Sequence, residues 1–87
     1  MEYSLEFEPG WDVHFKDFDQ ITRERIWKKI MKLKEKTRHR HLKHGVPYFV
    51  EDIGGYRLTF KVIEETKTKK IFFVGTHKQY ETWYKSQ

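Results

Sequence analysis

Gly54-Gly55 stands between two runs of β-branched and aromatic residues, Tyr48 to Ile53 and Tyr56 to Ile63. A two-residue hairpin turn needs positive φ at both central positions, which glycine adopts without steric cost, so the pair predicts an antiparallel hairpin. A third run, Lys70 to Gly75, follows the polar segment EETKTK and extends the hairpin into a three-stranded meander. In the middle run Tyr56, Leu58, Phe60 and Val62 share one face, with Arg57, Thr59 and Lys61 on the other. A helix layer over the apolar face leaves Arg57 pointing away from it.

The residues before the meander supply that layer. Tyr3, Leu5 and Phe7 alternate with Ser4, Glu6 and Glu8 until Pro9-Gly10, the pattern of a half-buried strand. Trp11, Phe15 and Phe18 then fall at i, i+4 and i+7, enough for one or two helical turns. From Asp19 to about Lys36, Ile26, Ile30 and Leu33, flanked by Trp27 and Met31, form an apolar stripe on a charged helix. Asp17 and Gln20 have capping-box spacing, and Lys32, Lys34 and Lys36 suit the helix C-terminus. Between Thr37 and Pro47 the period is lost in the basic loop RHRHLKHG, and the terminal THKQYETWYKSQ adds a helical turn. The expected fold is α+β: one domain over residues 1–87, with a mostly antiparallel sheet made of an N-terminal strand and the C-terminal meander. One or two N-terminal helices cover one face, and the other is left for ligand.

The chain has 18 Lys and Arg against 13 Asp and Glu, so its natural partners are polyanions or an acidic protein. Without cysteine it can use neither disulfides nor thiolate ligands, which fits a reducing cytoplasm. The start, MEYSLEFE, is acidic and alternating, and no apolar run approaches the roughly 20 residues of a membrane span. Neither a signal peptide nor a membrane partner is expected.

Three local sequences, taken in order and at their spacing, go further. They are Leu42-Lys43 with Gly45 and Pro47 before the meander, Gly55-Tyr56-Arg57-Leu58 on its central strand, and Gly75-Thr76-His77-Lys78-Gln79-Tyr80 after its last strand. Together they resemble the RelE/ParE superfamily of toxins, with a HigB-like ending, over essentially the whole chain. The resemblance implies a metal-independent endoribonuclease without cofactor that cuts mRNA, mostly in the ribosomal A site. The substrate's own 2′-OH attacks the adjacent phosphate, leaving a 2′,3′-cyclic phosphate and a 5′-OH. It also implies a cognate antitoxin and a toxin–antitoxin hetero-oligomer. The chain departs from RelE in having Tyr48-Phe49-Val50-Glu51 where RelE carries paired lysines, and His77 where RelE has an arginine.

Cleavage of this kind asks for a base, an acid and cations around the phosphate. Arg57 suits the phosphate because its guanidinium is planar and always charged; the competing reading is a structural pair with Glu51 or Asp52. Imidazole titrates near pH 6.5 when unperturbed, which makes His77 a candidate acid or base unless it caps the tail, and Tyr80 adds a phenol. These three are the expected catalytic set, with Glu51 as a further possible base. Arg40, Lys43, His44, Lys78 and Tyr84 are the expected RNA and phosphate contacts, beside Arg38 in the same loop. Trp83 reads as a core residue. His39, His41 and His44 lack helical spacing and an accompanying carboxylate, so no metal site is expected. The rival to the nuclease is a non-catalytic or gyrase-poisoning ParE-type toxin that acts by protein binding, a class that generally lacks such an acid/base set.

Overall fold

The computed structural model describes residues 2–35, 40–41 (backbone only) and 48–86. Strand β1 (Ser4–Phe7) leads through turns and a short 3-10 segment (Phe15–Asp17) into helix α1 (Gln20–Lys32). Strands β2 (Arg40–His41), β3 (Phe49–Ile53), β4 (Tyr56–Ile63) and β5 (Thr68–Thr76) follow, and helix α2 (His77–Lys85) ends the described chain. The strands form one sheet in the order β1-β5-β4-β3-β2, in which only the β1–β5 pair is parallel. Among the described residues no helix is long and apolar enough to cross a membrane.

The local signals act much as expected. Gly54 and Gly55 take φ of +47° and +92° and close the β3–β4 hairpin, in which Asp52 faces Arg57 and Ile53 faces Tyr56. Helix α1 buries Ile26, Ile30 and, just past its end, Leu33 against Leu58, Phe60, Ile71, Val74 and Ile53 of the sheet. Each such side chain contributes about 1.5–3 kcal/mol on leaving water. The helix starts two residues later than the Asp17–Gln20 spacing suggests: Asp19 is the N-cap, its carboxylate accepting from the backbone N–H of Thr22 at 3.2 Å and from the Thr22 hydroxyl at 2.6 Å. These bonds hold the Asp19 carboxyl below its ordinary value.

Four features differ from the sequence reading. Two residues of the expected basic loop, Arg40 and His41, pair with Val50 and Phe49 as an edge strand; the rest of that loop, with Arg38, His39, Lys43 and His44, lies outside the described residues. The segment read as the polar EETKTK loop is shorter, because Thr68 and Lys69 already belong to β5. Lys69 is only 1% exposed: its ammonium donates to the Glu35 carbonyl at 3.0 Å and lies 4.4 Å from the ring centroid of Tyr3. Burial pushes its pKa down, and Glu64 and Glu51 partly restore it. The tail, finally, is a nine-residue helix packed on β5 and β4, on the face opposite α1.

That second helix depends on a bulge. Thr59 and Phe60 are consecutive on β4 but pair with Phe73 and Ile71, so Phe72 is an extra residue in β5. Before it, Ile71 faces α1; after it, Phe73 and Gly75 stand opposite Thr59 and Arg57 on the other face, and Val74 stands with Leu58 on the α1 side. The ring of Phe73 then stacks on Trp83 of α2, centroids 5.2 Å apart.

Gly75 permits the close approach of α2 at its start. A Cβ there would lie 2.8 Å from Gln79 Oε1 and 2.9 Å from Phe73 Cζ. Gln79 is not free to yield, since its side chain accepts from Thr76 N–H at 2.8 Å while Thr76 Oγ1 accepts from Gln79 N–H at 3.1 Å, a complete capping box. Gly75→Ala is therefore expected to destabilise the fold by about 1–3 kcal/mol through overpacking and loss of the cap. Denaturant unfolding would measure it, and an unchanged midpoint would show that α2 is not held this way.

Candidate nucleic-acid interface

The face that carries α2 gathers the polar groups. Strand β4 presents Arg57, β3 presents Asp52 directly opposite, and the first turn of α2 adds His77 and Tyr80. Arg57 Nε donates to Asp52 Oδ1 at 3.3 Å, and its guanidinium carbon sits 5.0 Å from the Tyr80 ring centroid. His77 Nε2 lies 3.6 Å from the same Asp52 oxygen, an ion-pair distance too long for a good hydrogen bond. One carboxylate thus lies between a permanent cation and a titratable one. The side chains of Arg57, His77 and Asp52 are 33%, 53% and 69% exposed, so substrate can reach all three, and the pairs add little to stability.

The role of helix cap falls to Thr76 and Gln79, and the His77 imidazole is turned toward β3. Tyr80 is buried, its ring between the Arg57 cation and the rings of Trp83 and Tyr84. Burial raises its phenol above the ordinary value, with Arg57 pulling it partly back and Tyr84 adding to the rise. The group is therefore protonated throughout the neutral range. Tyr84 stacks on Tyr80 at 5.9 Å with 40% of its surface exposed, and Lys78 is exposed on the same helical turn as His77.

Glu51, the further candidate base, stands elsewhere. It pairs with Leu58, and its strand neighbours at i±2, Phe49 and Ile53, pack in the α1 core, so it belongs to the opposite side of the sheet, where its charge acts on Lys69. Asp52, weighed only as a structural partner for Arg57, takes its place beside the arginine. Their one-residue offset decides the face, and the hairpin register fixed by Gly54-Gly55 was the signal for it. Trp83, read as a core residue, is half-buried against Phe73, Tyr48 and Tyr80 and lies outside the hydrophobic core cluster.

Beneath α2 lies Thr59, fully buried, and its hydroxyl has no hydrogen-bond partner among the described residues. Such an orphan costs about 1–3 kcal/mol. Among the described residues no cluster of three His, Cys, Asp or Glu side chains could hold a metal ion. A groove of about 520 Å³ between β1 and α1, lined by Tyr3, Leu5, Phe7, Trp27 and Met31, is on the far side of the sheet from Arg57.

No protein-family model matches the sequence, and no curated protein matches it significantly. Solved structures do match in shape. A mutant of the Escherichia coli toxin RelE in the free state superposes with a TM-score of 0.77 at 24% identity, over 97% of this chain and 93% of that one. The RelBE2 toxin–antitoxin complex of Mycobacterium tuberculosis gives 0.76 at 17% identity over 88% and 93%. The archaeal RelE–RelB complex of Pyrococcus horikoshii gives 0.67 at 17% identity over 87% and 96%. The order of elements, the sheet and these superpositions together establish that this chain has the RelE fold.

Proposed function

We propose that the chain is the toxin of a toxin–antitoxin pair and an endoribonuclease that cuts mRNA, in the ribosomal A site or on free RNA. The observation that carries this reading is that Arg57 and His77 both reach Asp52, with the Tyr80 ring against Arg57, on the face of a RelE fold. A protein that acts by binding alone leaves an exposed imidazole beside a carboxylate without a task.

In this mechanism the scissile phosphate sits on the Arg57 guanidinium, which neutralises the charge that grows on its non-bridging oxygens. The imidazole of His77, oriented by Asp52, takes the proton of the 2′-OH. The 2′-oxygen bonds to phosphorus, the bond from phosphorus to the 5′-oxygen breaks, and the 5′-oxygen receives a proton from the Tyr80 phenol. Tyr80 also keeps Arg57 in place through its ring. Tyr84 and Lys78 flank the site to meet a base and a neighbouring phosphate, and Arg40, Lys43 and His44 are assigned as further phosphate contacts on their charge alone.

Arg57→Ala and His77→Ala are expected to fail differently, because one removes fixed charge and the other a proton carrier. Arg57→Ala should slow single-turnover cleavage on the order of 10²- to 10³-fold at every pH. His77→Ala should lose about 10²-fold or more together with the imidazole ionisation in the pH–rate profile, and added imidazole should partly rescue it. Because the Tyr80 phenol is raised, no tyrosine ionisation should enter the wild-type profile until pH passes the ordinary tyrosine range near 10. A His77→Ala variant that cleaves at the wild-type rate with the same profile would remove histidine from the mechanism. No cleavage by the wild type on programmed ribosomes or free RNA, with DNA gyrase inhibited instead, would replace the nuclease reading with the ParE-type one.

The base, the acid and the cation in this scheme are all protein side chains, so cleavage should survive EDTA. Loss of activity in chelator, restored by one divalent ion while ribosomes stay intact, would contradict it. The scheme also calls for an inhibitor: solved structures of similar fold are complexes of RelE with RelB antitoxins. A small acidic partner is expected to bind this basic chain tightly and cover Arg57, Lys43 or both. Arginine- and lysine-selective modification of the complex reads this out, and equal labelling of both residues with and without the partner would rule out inhibition by direct masking.

A further inference from the structure

At the other end of the α2 face, four residues along β4 from Arg57, stands Lys61. Its ammonium lies 5.1 Å from the ring centroid of Tyr48 and 5.2 Å from that of Phe72, two rings in edge contact with centroids 5.1 Å apart. Phe72 is the extra residue of the β5 bulge, which places its ring on this face beside Phe73. Among the described residues Lys61 has no carboxylate at ion-pair distance. Directly across the ladder stands a second lysine, Lys70. Like charges facing each other on neighbouring strands are unfavourable. Lys70 is paired with Glu8 at 3.4 Å, with Glu6 beside it on β1, and its ammonium also lies 5.7 Å from the Phe72 ring centroid. The acidic residues of β1 thus close the patch on that side and leave Lys61 as its open cation.

The border between Arg57 and Lys61 is continuous. Helix α2 lies over β5 and β4, and beside it on this face come Tyr48, just before β3, and Val50 and Asp52 of β3, at every second position. Val50 is half-buried, Asp52 is exposed, and Arg40 of β2 is the register partner of Val50. Four residues of strand span about 13 Å. That is too far for one phosphate to touch both cations, and suits a strand running alongside α2 from one to the other.

We infer that Lys61, set between the rings of Tyr48 and Phe72, is a second contact for the backbone of a single-stranded RNA, more than one nucleotide away from the phosphate held at Arg57. The inference rests on the nuclease reading only for the identity of the strand. The ammonium meets a phosphate, and the Tyr48–Phe72 pair gives the adjoining base or ribose an apolar wall. The enzyme would then grip its substrate beyond the cut, with binding and chemistry at opposite ends of one face.

The test is equilibrium binding of a single-stranded RNA oligonucleotide carrying a 2′-deoxy nucleotide at the cleavage position, over a salt series, with single-turnover cleavage of the unmodified RNA alongside. Lys61→Ala is expected to weaken binding on the order of fivefold at moderate salt and to reduce the slope of log K against log salt by about 0.7, one single-strand phosphate contact. Its cleavage rate at saturating RNA should remain near wild type, Lys61→Arg should restore the slope, and an oligonucleotide too short to leave Arg57 should not distinguish the variants. Lys70→Ala, its charge already shared with Glu8, should have the smaller effect. If Lys61→Ala binds the long RNA with unchanged affinity and slope while the protein still cleaves, the second contact is overturned and the nuclease reading stands. Binding that depends on Lys61 in a protein that never cleaves RNA keeps the contact and overturns the nuclease, and a wild type that binds no RNA overturns both.

Discussion

Strand β5 is paired on both edges and buried on both faces, and a single extra residue, Phe72, lets it serve both. Strict alternation would put Ile71, Phe73 and Gly75 on one face and Phe72 and Val74 on the other. The α1 core needs Ile71 and Val74 together, which are three residues apart and differ in parity. The bulge resolves the conflict by switching parity in mid-strand. Phe73 thereby faces Trp83, and Gly75 arrives opposite Arg57 with no side chain, so the chain turns into α2 with His77 beside Asp52. Without that switch Phe72 would stand opposite Thr59 and Val74 opposite Arg57, and the residues after Gly75 would start from the wrong side of the sheet.

The two faces treat charge in opposite ways. On the α1 side Lys69 is almost wholly removed from water and satisfied by the Glu35 carbonyl and the Tyr3 ring, while the Tyr3 hydroxyl donates to Glu64 at 3.0–3.1 Å. Burial and the neighbouring Glu64 both raise the Tyr3 phenol. This lysine ties the end of α1 to the sheet just before the basic segment begins, and its cation is unavailable to a ligand. On the α2 side Arg57, His77 and Lys61 are all reachable from solvent, and the buried Thr59 hydroxyl has no partner among the described residues. Stability is concentrated on one face, and the polar groups that cost stability or add little to it lie on the other, which is how a functional surface differs from a core.

What the sequence made legible was local. The Gly54-Gly55 turn, the alternation in β1 and β4 and the apolar stripe of α1 each sit within a few residues of the feature they determine and all appear, although α1 ends at Lys32, short of the expected end near Lys36. The parity of β5 was hidden because KKIFFVG is apolar on consecutive positions and shows no period to break. Lys69 was hidden by composition, since a lysine after TKT reads as loop until a ring and a carbonyl are brought to it through the fold. The length of α2 was readable in part: Thr76 and Gln79 have capping-box spacing, a signal outweighed by the polar character of the tail. Arg57, His77 and Tyr80 come together as a set, whereas Glu51 faces α1 and the basic loop lies mostly outside the described residues.

A fold constrains the framework of a site more tightly than it constrains the side chains placed on it. In this chain the strand that carries paired lysines in RelE has an apolar and acidic sequence, and the positive charge on the face comes from β4 and α2. A site built from several cations stabilises charge at any pH but exchanges protons poorly, because lysine and arginine stay charged far above neutrality. An imidazole next to a carboxylate exchanges protons readily and adds little fixed charge. In the proposed mechanism, exchanging one for the other keeps the same platform while moving the work from electrostatic clamping toward proton transfer. On the same proposal the strand is held elsewhere, at the lysine at the far end of β4.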